Sequence, residues 1–129
     1  MKSFERKFRP ELGELPAARG ALRAWLHDVG VEGEDATADV LVVASELVTN
    51  GVFHDGGDLI TVRADKRDGE VAVEVTTVDH VPGYQPPDRD LQDPLDGGRG
   101  LAIVRALSRE FSVVQVDDQR VTTCRITTD

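Results

Sequence analysis

Two hydrophobic periods alternate along this chain, and the switches between them lay out its elements. Residues 3–8 alternate polar and apolar through Phe4 and Phe8 and read as a first strand, closed by Pro10. Pro16 then stands where a helix can begin. Ala18, Ala21, Leu22, Trp25, Leu26 and Val29 form an i, i+3, i+4, i+7 stripe, which predicts an amphipathic helix over residues 17–29 with Gly30 as its stop. Trp25 lies on that stripe and is expected in the core. The longest helical pattern covers residues 35–54. Val40, Leu41, Val43, Ala44, Leu47, Val48 and Val52 make it apolar on more than one side, which predicts a central helix, and Asp55-Gly56-Gly57-Asp58 supplies turn chemistry after it.

The period then shortens. Ile60, Val62 and Ala64 alternate with Leu59, Thr61, Arg63 and Asp65, and Val71, Val73 and Val75 alternate with Ala72, Glu74 and Thr76. Asp68-Gly69 between the two runs signals a hairpin. Residues 78–96 have no usable period and hold four prolines and five aspartates, the composition of a lid-like loop. Leu101, Ile103, Val104 and Leu107 form another helical stripe after Gly97-Gly98-Arg99-Gly100, and residues 111–116 and 121–127 close the chain as a second hairpin around Asp117-Asp118-Gln119. The order is strand, helix, helix, strand, strand, lid, helix, strand, strand. It predicts an α+β domain over residues 1–129: a two-layer α/β sandwich with helices on one face of a mixed, mainly antiparallel sheet.

Composition narrows the chemistry. The 129 residues suit one domain with a core of its own. A net charge of −9 argues against nucleic acid, which needs clustered Lys and Arg, and permits a basic protein partner. The single cysteine, Cys124, rules out an internal disulfide or a cysteine cluster and sits in an alternating run as a strand residue. His27, His54 and His80 lack metal-ligand spacing, so zinc is not expected. No apolar run reaches membrane-span length and no signal-peptide core opens the chain, so a cytoplasmic protein without membrane contact is expected.

Ser45-Glu46-Leu47-Val48-Thr49-Asn50 stands out within the central helix. Residues four apart share a helical face, so Glu46 and Asn50 project side by side where a core helix would carry apolar groups. A carboxamide oxygen suits magnesium and a neighbouring carboxylate can deprotonate a nucleophile. Two hydrogen-bonded polar residues at a helix edge fit the pair as well, and on spacing alone that is the commoner case. The glycine run has two readings as well. Its backbone N–H groups can approach a phosphate at the start of a helix, with Arg99 adding charge, or the run is a turn.

Taken together, Ala17-Ala18-Arg19, Ser45-Glu46-Leu47-Val48-Thr49-Asn50-Gly51-Val52-Phe53-His54 and Gly97-Gly98-Arg99-Gly100-Leu101-Ala102-Ile103-Val104 resemble the Bergerat-fold (GHKL) ATP-binding superfamily. Within it they resemble the anti-sigma-factor serine kinases of bacterial partner switching. The middle stretch resembles the family's N-box and the last its second glycine box. The resemblance implies the Bergerat fold, ATP and Mg2+ as cofactors, Glu46 as general base and Asn50 as metal ligand. It implies a phosphate loop at Gly98, Arg99, Gly100 and Leu101. Sigma-factor or anti-anti-sigma partners are implied too, and a homodimer is what the resemblance suggests. The chain departs from the family at two places. Thr77 holds the position of the adenine-binding aspartate, with Asp79 two residues on, and Arg120-Val121 replaces the glycine before Thr122 in the last hairpin. These departures keep a second function open: a module of the same fold, impaired in nucleotide binding, that sequesters a regulator by protein contact alone.

Overall fold

A computed structural model describes residues 3–9, 12–50, 59–78, 98–117 and 119–128. The chain runs as β1 (Ser3–Phe8), a short 3-10 turn (Leu12–Glu14), α1 (Leu15–Asp28), α2 (Glu34–Asn50), β2 (Ile60–Arg67), β3 (Glu70–Val78), α3 (Gly98–Leu107), β4 (Glu110–Val116) and β5 (Gln119–Thr127). This is the predicted order of elements. The expected turn at 55–58 and the expected lid at 78–96, apart from Val78 at the end of β3, lie outside the described residues.

Local chemistry accounts for the helix ends. Pro16 sits in the first turn of α1, where its missing N–H costs no intrahelical bond. At the other end Gly30 takes φ +89°, its N–H donates to the His27 carbonyl at 3.1 Å, and the Val31 N–H donates to the Leu26 carbonyl at 2.9 Å. This is a Schellman ending, with Val31 and Leu26 both buried as its apolar contact. Gly69 plays a comparable part in the β2–β3 hairpin, with φ +74° between the paired Arg67 and Glu70.

The five strands lie in the order β1-β2-β3-β5-β4. Every described ladder is antiparallel, in keeping with the mainly antiparallel sheet expected above. Elements that alternate in direction explain it. Two helices between β1 and β2 return the chain antiparallel, and β5 comes between the like-directed β3 and β4. Strand register then fixes two faces. Phe8, Ile60, Thr77, Arg120 and Gln115 form one rung of the inner face; Val62, Val75, Thr122 and Val113 lie on the next; Phe4, Ala64, Val73, Cys124 and Phe111 on the third.

The helices bury this inner face. α2 lies between α1 and α3 and also contacts β2, β3 and β5. No side chain from Val40 to Thr49 is fully exposed, as a central helix requires. Leu26, Val40, Leu41, Val43, Ile60, Val71, Val73, Val104, Cys124 and Ile126 fill the centre of the core. Trp25 packs on its rim against Phe4, with ring centroids 6.0 Å apart. On α3, Val104 and Leu107 face inward while Ile103 is 42% exposed. Adjacent helical residues point about 100° apart, and α3, unlike the central α2, packs on the core through a narrow face, so Val104 takes the core position and Ile103 does not.

The outer face is polar at one end. Arg63 on β2 donates to Glu5 on β1 at 2.9 Å and lies 4.0 Å from Glu74 on β3, an exposed ladder across three strands. The hydrogen bond from Arg63 and its charge hold the Glu5 carboxyl below its ordinary value. Farther along, Glu70 is largely buried between Arg109 at 3.2 Å and Arg125 at 3.8 Å.

Candidate functional site

The candidate residues come from four elements. Glu46 lies one turn before the end of α2, half-buried between the buried Val43 and Leu47. Asn50, four residues on, is the last residue of α2. One face of that final turn is held in place by Val43, Ala44, Leu47 and Val48, all in the core, so Glu46 stands at the margin of a rigid surface rather than on a loop. The Thr49 hydroxyl donates to the Ser45 carbonyl at 2.8 Å and uses the polar group of that turn locally.

α3 packs against α2 and begins at Gly98. The sequence pattern places its start near Leu101, so the helix begins three residues earlier than expected. Gly98, Arg99, Gly100 and Leu101 are therefore its first turn. The first N–H groups of a helix have no intrahelical acceptor and lie at the positive end of its dipole. The backbone of the glycine box itself thus carries those donors, which strengthens the chemical fit to a phosphate.

The sheet supplies the remaining candidates. Thr77 is 2% exposed on the inner face near the end of β3, in line with Val71, Val73 and Val75. A carboxylate at this position would have stood on the same face. Thr122 on β5 is half-buried one rung away, opposite Val75. β3 ends at Val78, and Asp79 lies outside the described residues, as do His54 and His80. Pairing of Ile60 with Thr77 brings the start of β2, which follows α2 in the chain, beside the end of β3.

Arg120 is a neighbour that single-position reading of the motifs passes over. It lies directly opposite Thr77 on β5, half-buried and on the inner face. Parity with Thr122 puts Arg120 on the inner face from sequence alone, but its place opposite Thr77 arises only from the β3–β5 register. Thr77 and Arg120 are therefore cross-strand neighbours at the position where the resemblance implies a carboxylate.

Among the described residues no group of three or more His, Cys, Asp or Glu side chains could hold a metal ion. A magnesium site here would draw on the Asn50 carboxamide and on substrate phosphates, a donor set of hard oxygens that suits the ion. Cys124 takes no part. It is buried in β5 with its Sγ 3.9 Å from the Val73 carbonyl, and burial pushes its thiol pKa up to about 11. His27 is exposed in the last turn of α1. No described helix is long and apolar enough to cross a membrane.

Residues 8–127 match the family model of the histidine kinase-like ATPase domain. No curated protein matches the chain. Among solved structures, the chain is similar to the RsbU and RsbW domains of Rv1364c from Mycobacterium tuberculosis, with 22% identity, a TM-score of 0.72, and coverage of 98% of this chain and 32% of that one. It is also similar to the histidine kinase domain of a blue-light activated histidine kinase from Erythrobacter litoralis, at 18% identity and TM-score 0.57 over 88% of this chain and 61% of that one. The histidine kinase AdeS of Acinetobacter baumannii aligns at 12% identity and TM-score 0.56 over all of this chain and 70% of its own. This chain thus spans about a third of the first of these proteins and three fifths of the second.

Proposed function

Because the chain belongs to the histidine kinase-like ATPase domain family, we propose that it binds ATP with magnesium beside the end of α2 and the start of α3. We propose further that it acts as an anti-sigma-type regulator that phosphorylates a serine of an anti-anti-sigma-like partner. One observation supports the reading above others. Glu46 and Asn50 occupy the last turns of a core-anchored helix, and the helix packed against it opens with the glycine box in its first turn.

In this reading the first-turn N–H groups at Gly98, Arg99 and Gly100 hold phosphate oxygens, and the Asn50 carboxamide oxygen holds magnesium. Magnesium, when bound, neutralises charge on the phosphate oxygens. Glu46 takes the proton from the serine hydroxyl as its oxygen bonds to the γ-phosphorus, and the bond from that phosphorus to the β–γ bridging oxygen breaks to release ADP. Such transfer depends mainly on positioning and charge stabilisation, so this small set of groups is sufficient for it. Calorimetry with ATP and magnesium tests the assignment. Asn50→Ala is expected to abolish magnesium-dependent binding, and unchanged binding would sink it.

The second reading, a binding module that holds a sigma factor or similar regulator without useful nucleotide affinity, is favoured by one feature: the buried Thr77, at the position where the resemblance implies an adenine-binding aspartate. A ligand bound only by the native state must raise the melting temperature. A clear rise with ATP and magnesium supports the kinase reading; no shift up to millimolar nucleotide supports the module.

A further inference from the structure

Asn50 is the one asparagine in the chain, and Gly51 follows it. It is also the last residue of α2. Together these facts bear on the reactivity of its carboxamide. The main-chain nitrogen of the next residue can attack the Cγ of an asparagine and close a succinimide ring. Two things ordinarily prevent this. A side chain on the following residue crowds the ring, and the dihedral angles of a helix interior hold that nitrogen away from Cγ. Gly51 has no Cβ, and glycine admits conformations closed to other residues. The helical restraint is weakest at position 50, because helices fray from their ends and ring closure there opens only the last turn. The rest of α2 stays where it is, with Val40, Leu41, Val43, Ala44, Leu47 and Val48 in the core.

We propose that Asn50 is a site of spontaneous deamidation, through which the domain loses nucleotide affinity with age. The Gly51 nitrogen gives up its proton and bonds to Cγ of Asn50, the Cγ–Nδ2 bond breaks, and ammonia leaves. Water then opens the ring. Cleavage between Cγ and the Gly51 nitrogen leaves aspartate at position 50. Cleavage between that nitrogen and the main-chain carbonyl carbon leaves isoaspartate. The net change is amide plus water to carboxylate plus ammonium, with no oxidant or reductant involved. Its effect is large where it falls. A carboxamide accepts through its oxygen and donates through two N–H groups, whereas a carboxylate only accepts. The new negative charge stands four residues after Glu46, a spacing at which like charges on a helix repel. Isoaspartate also routes the main chain through the side-chain carbons at the very end of α2. The reaction itself follows from the Asn50-Gly51 pair and the helix end; its effect on the nucleotide rests on the magnesium role proposed for Asn50.

The test ages the native chain at physiological temperature and mildly alkaline pH, where the attacking nitrogen deprotonates more readily. Isoelectric focusing is expected to show conversion to a species with one more negative charge. Peptide mapping by mass spectrometry is expected to place the amide loss at residue 50, as a mixture of aspartate and isoaspartate. Isomerisation at Asp-Gly pairs such as Asp68-Gly69 changes no charge and does not enter this readout. Gly51→Ala is expected to keep the native charge over the same period. A native chain that retains the Asn50 amide, or loses amide only at its glutamines, overturns the proposal, and so does equal loss in Gly51→Ala. The mapping on the native chain decides the site even if that variant misfolds. Separated by ion exchange, the aged species is expected to bind ATP and magnesium roughly tenfold more weakly than fresh protein in calorimetry, the loss of one hydrogen bond to a charged group. Equal affinity of aged and fresh protein overturns the loss of function, and Asn50→Ala shows which premise failed. If Asn50→Ala also binds like the native chain, the magnesium role of Asn50 is wrong. If Asn50→Ala has lost binding, that role stands and the carboxylate serves as well as the carboxamide.

Discussion

Replacing Thr77 by aspartate would restore the family's carboxylate in the place where the structure can report on it. Thr77 is 2% exposed, continues the inner-face run Val71, Val73, Val75, and pairs with Ile60 on one side and Arg120 on the other. In the proposed site the new carboxylate accepts a hydrogen bond from the exocyclic amine of adenine. A hydrogen bond to a charged group contributes about 1.5–3 kcal/mol, or roughly ten- to a hundredfold in affinity. The same change harms the unliganded protein, because an uncompensated buried charge costs several kcal/mol. Arg120 offsets part of that. Directly opposed residues of an antiparallel pair have Cβ atoms roughly 5 Å apart, close enough for their charged ends to meet, and unit charges in contact at roughly 4 Å attract by about 4 kcal/mol at an effective dielectric constant near 20. A net loss of about 1–3 kcal/mol is expected, a fall in melting temperature of roughly 3–10 °C. Calorimetry and thermal-shift titration with ATP and magnesium then read both sides of the exchange. Thr77→Asp should melt earlier when free, bind ATP at least tenfold more tightly, and recover its melting temperature when saturated. A folded Thr77→Asp protein that binds ATP no better than the native chain would refute the placement of the base beside β3.

Three further outcomes are expected. Glu46→Gln keeps the shape of the side chain but cannot take a proton, so ATP affinity should stay nearly constant while phosphoryl transfer to a serine substrate falls roughly 10²–10⁴-fold in a radiolabel assay; retained transfer would remove Glu46 as the base. Gly30→Ala places a Cβ at φ +89° and should lower stability by roughly 1–2 kcal/mol in urea unfolding, with no effect on nucleotide binding. Cys124, with its thiol raised from 9.0 to about 11 by burial, should resist thiol reagents in the native state and react once the chain unfolds. Because the folded state favours the protonated thiol, its contribution to stability is fully present below pH 9 and is lost as pH rises toward 11; native minus Cys124→Ala stability, measured across that range, should shrink with pH.

Most of the fold was legible because its elements advertise their periods. α2 is apolar around most of its circumference, and that pattern could only mean a central helix, as the burial of residues from Val40 to Thr49 bears out. The hairpins were legible from their turns, Gly69 and Asp117 both taking positive φ. The strand order was harder to read, since nothing local in β3 says that its neighbour is β5 and not β4. The start of α3 was misplaced for a similar reason. Glycine suggests a turn by propensity, yet Gly98 and Gly100 lie within the first helical turn, where packing of Val104 and Leu107 on the core outweighs a weak local preference. Nothing in the sequence sets Arg120 beside Thr77, because their juxtaposition exists only once β3 and β5 are in register.

That juxtaposition bears on why Thr77 is tolerated at all. A buried aspartate serves nucleotide binding and opposes the stability of the empty protein, because without ligand its charge is held in the core near apolar Ile60 and Val75. Threonine keeps the β-branched shape that suits a strand interior and removes the charge. At the proposed site, threonine therefore favours a domain that is stable when empty over one that draws binding energy from the base. What is left at the proposed site is the phosphate end: the carboxylate and carboxamide of α2 and the first-turn N–H groups of α3, which contact no part of the base. A site built this way should discriminate poorly among nucleotides and depend strongly on magnesium and phosphate number. Competition by ATP, GTP and ADP against a fluorescent ATP analogue separates the cases: ATP and GTP within a few fold of each other, both well ahead of ADP, agree with recognition through the phosphates, whereas a strong preference for ATP over GTP would mean that base recognition persists without the carboxylate at position 77.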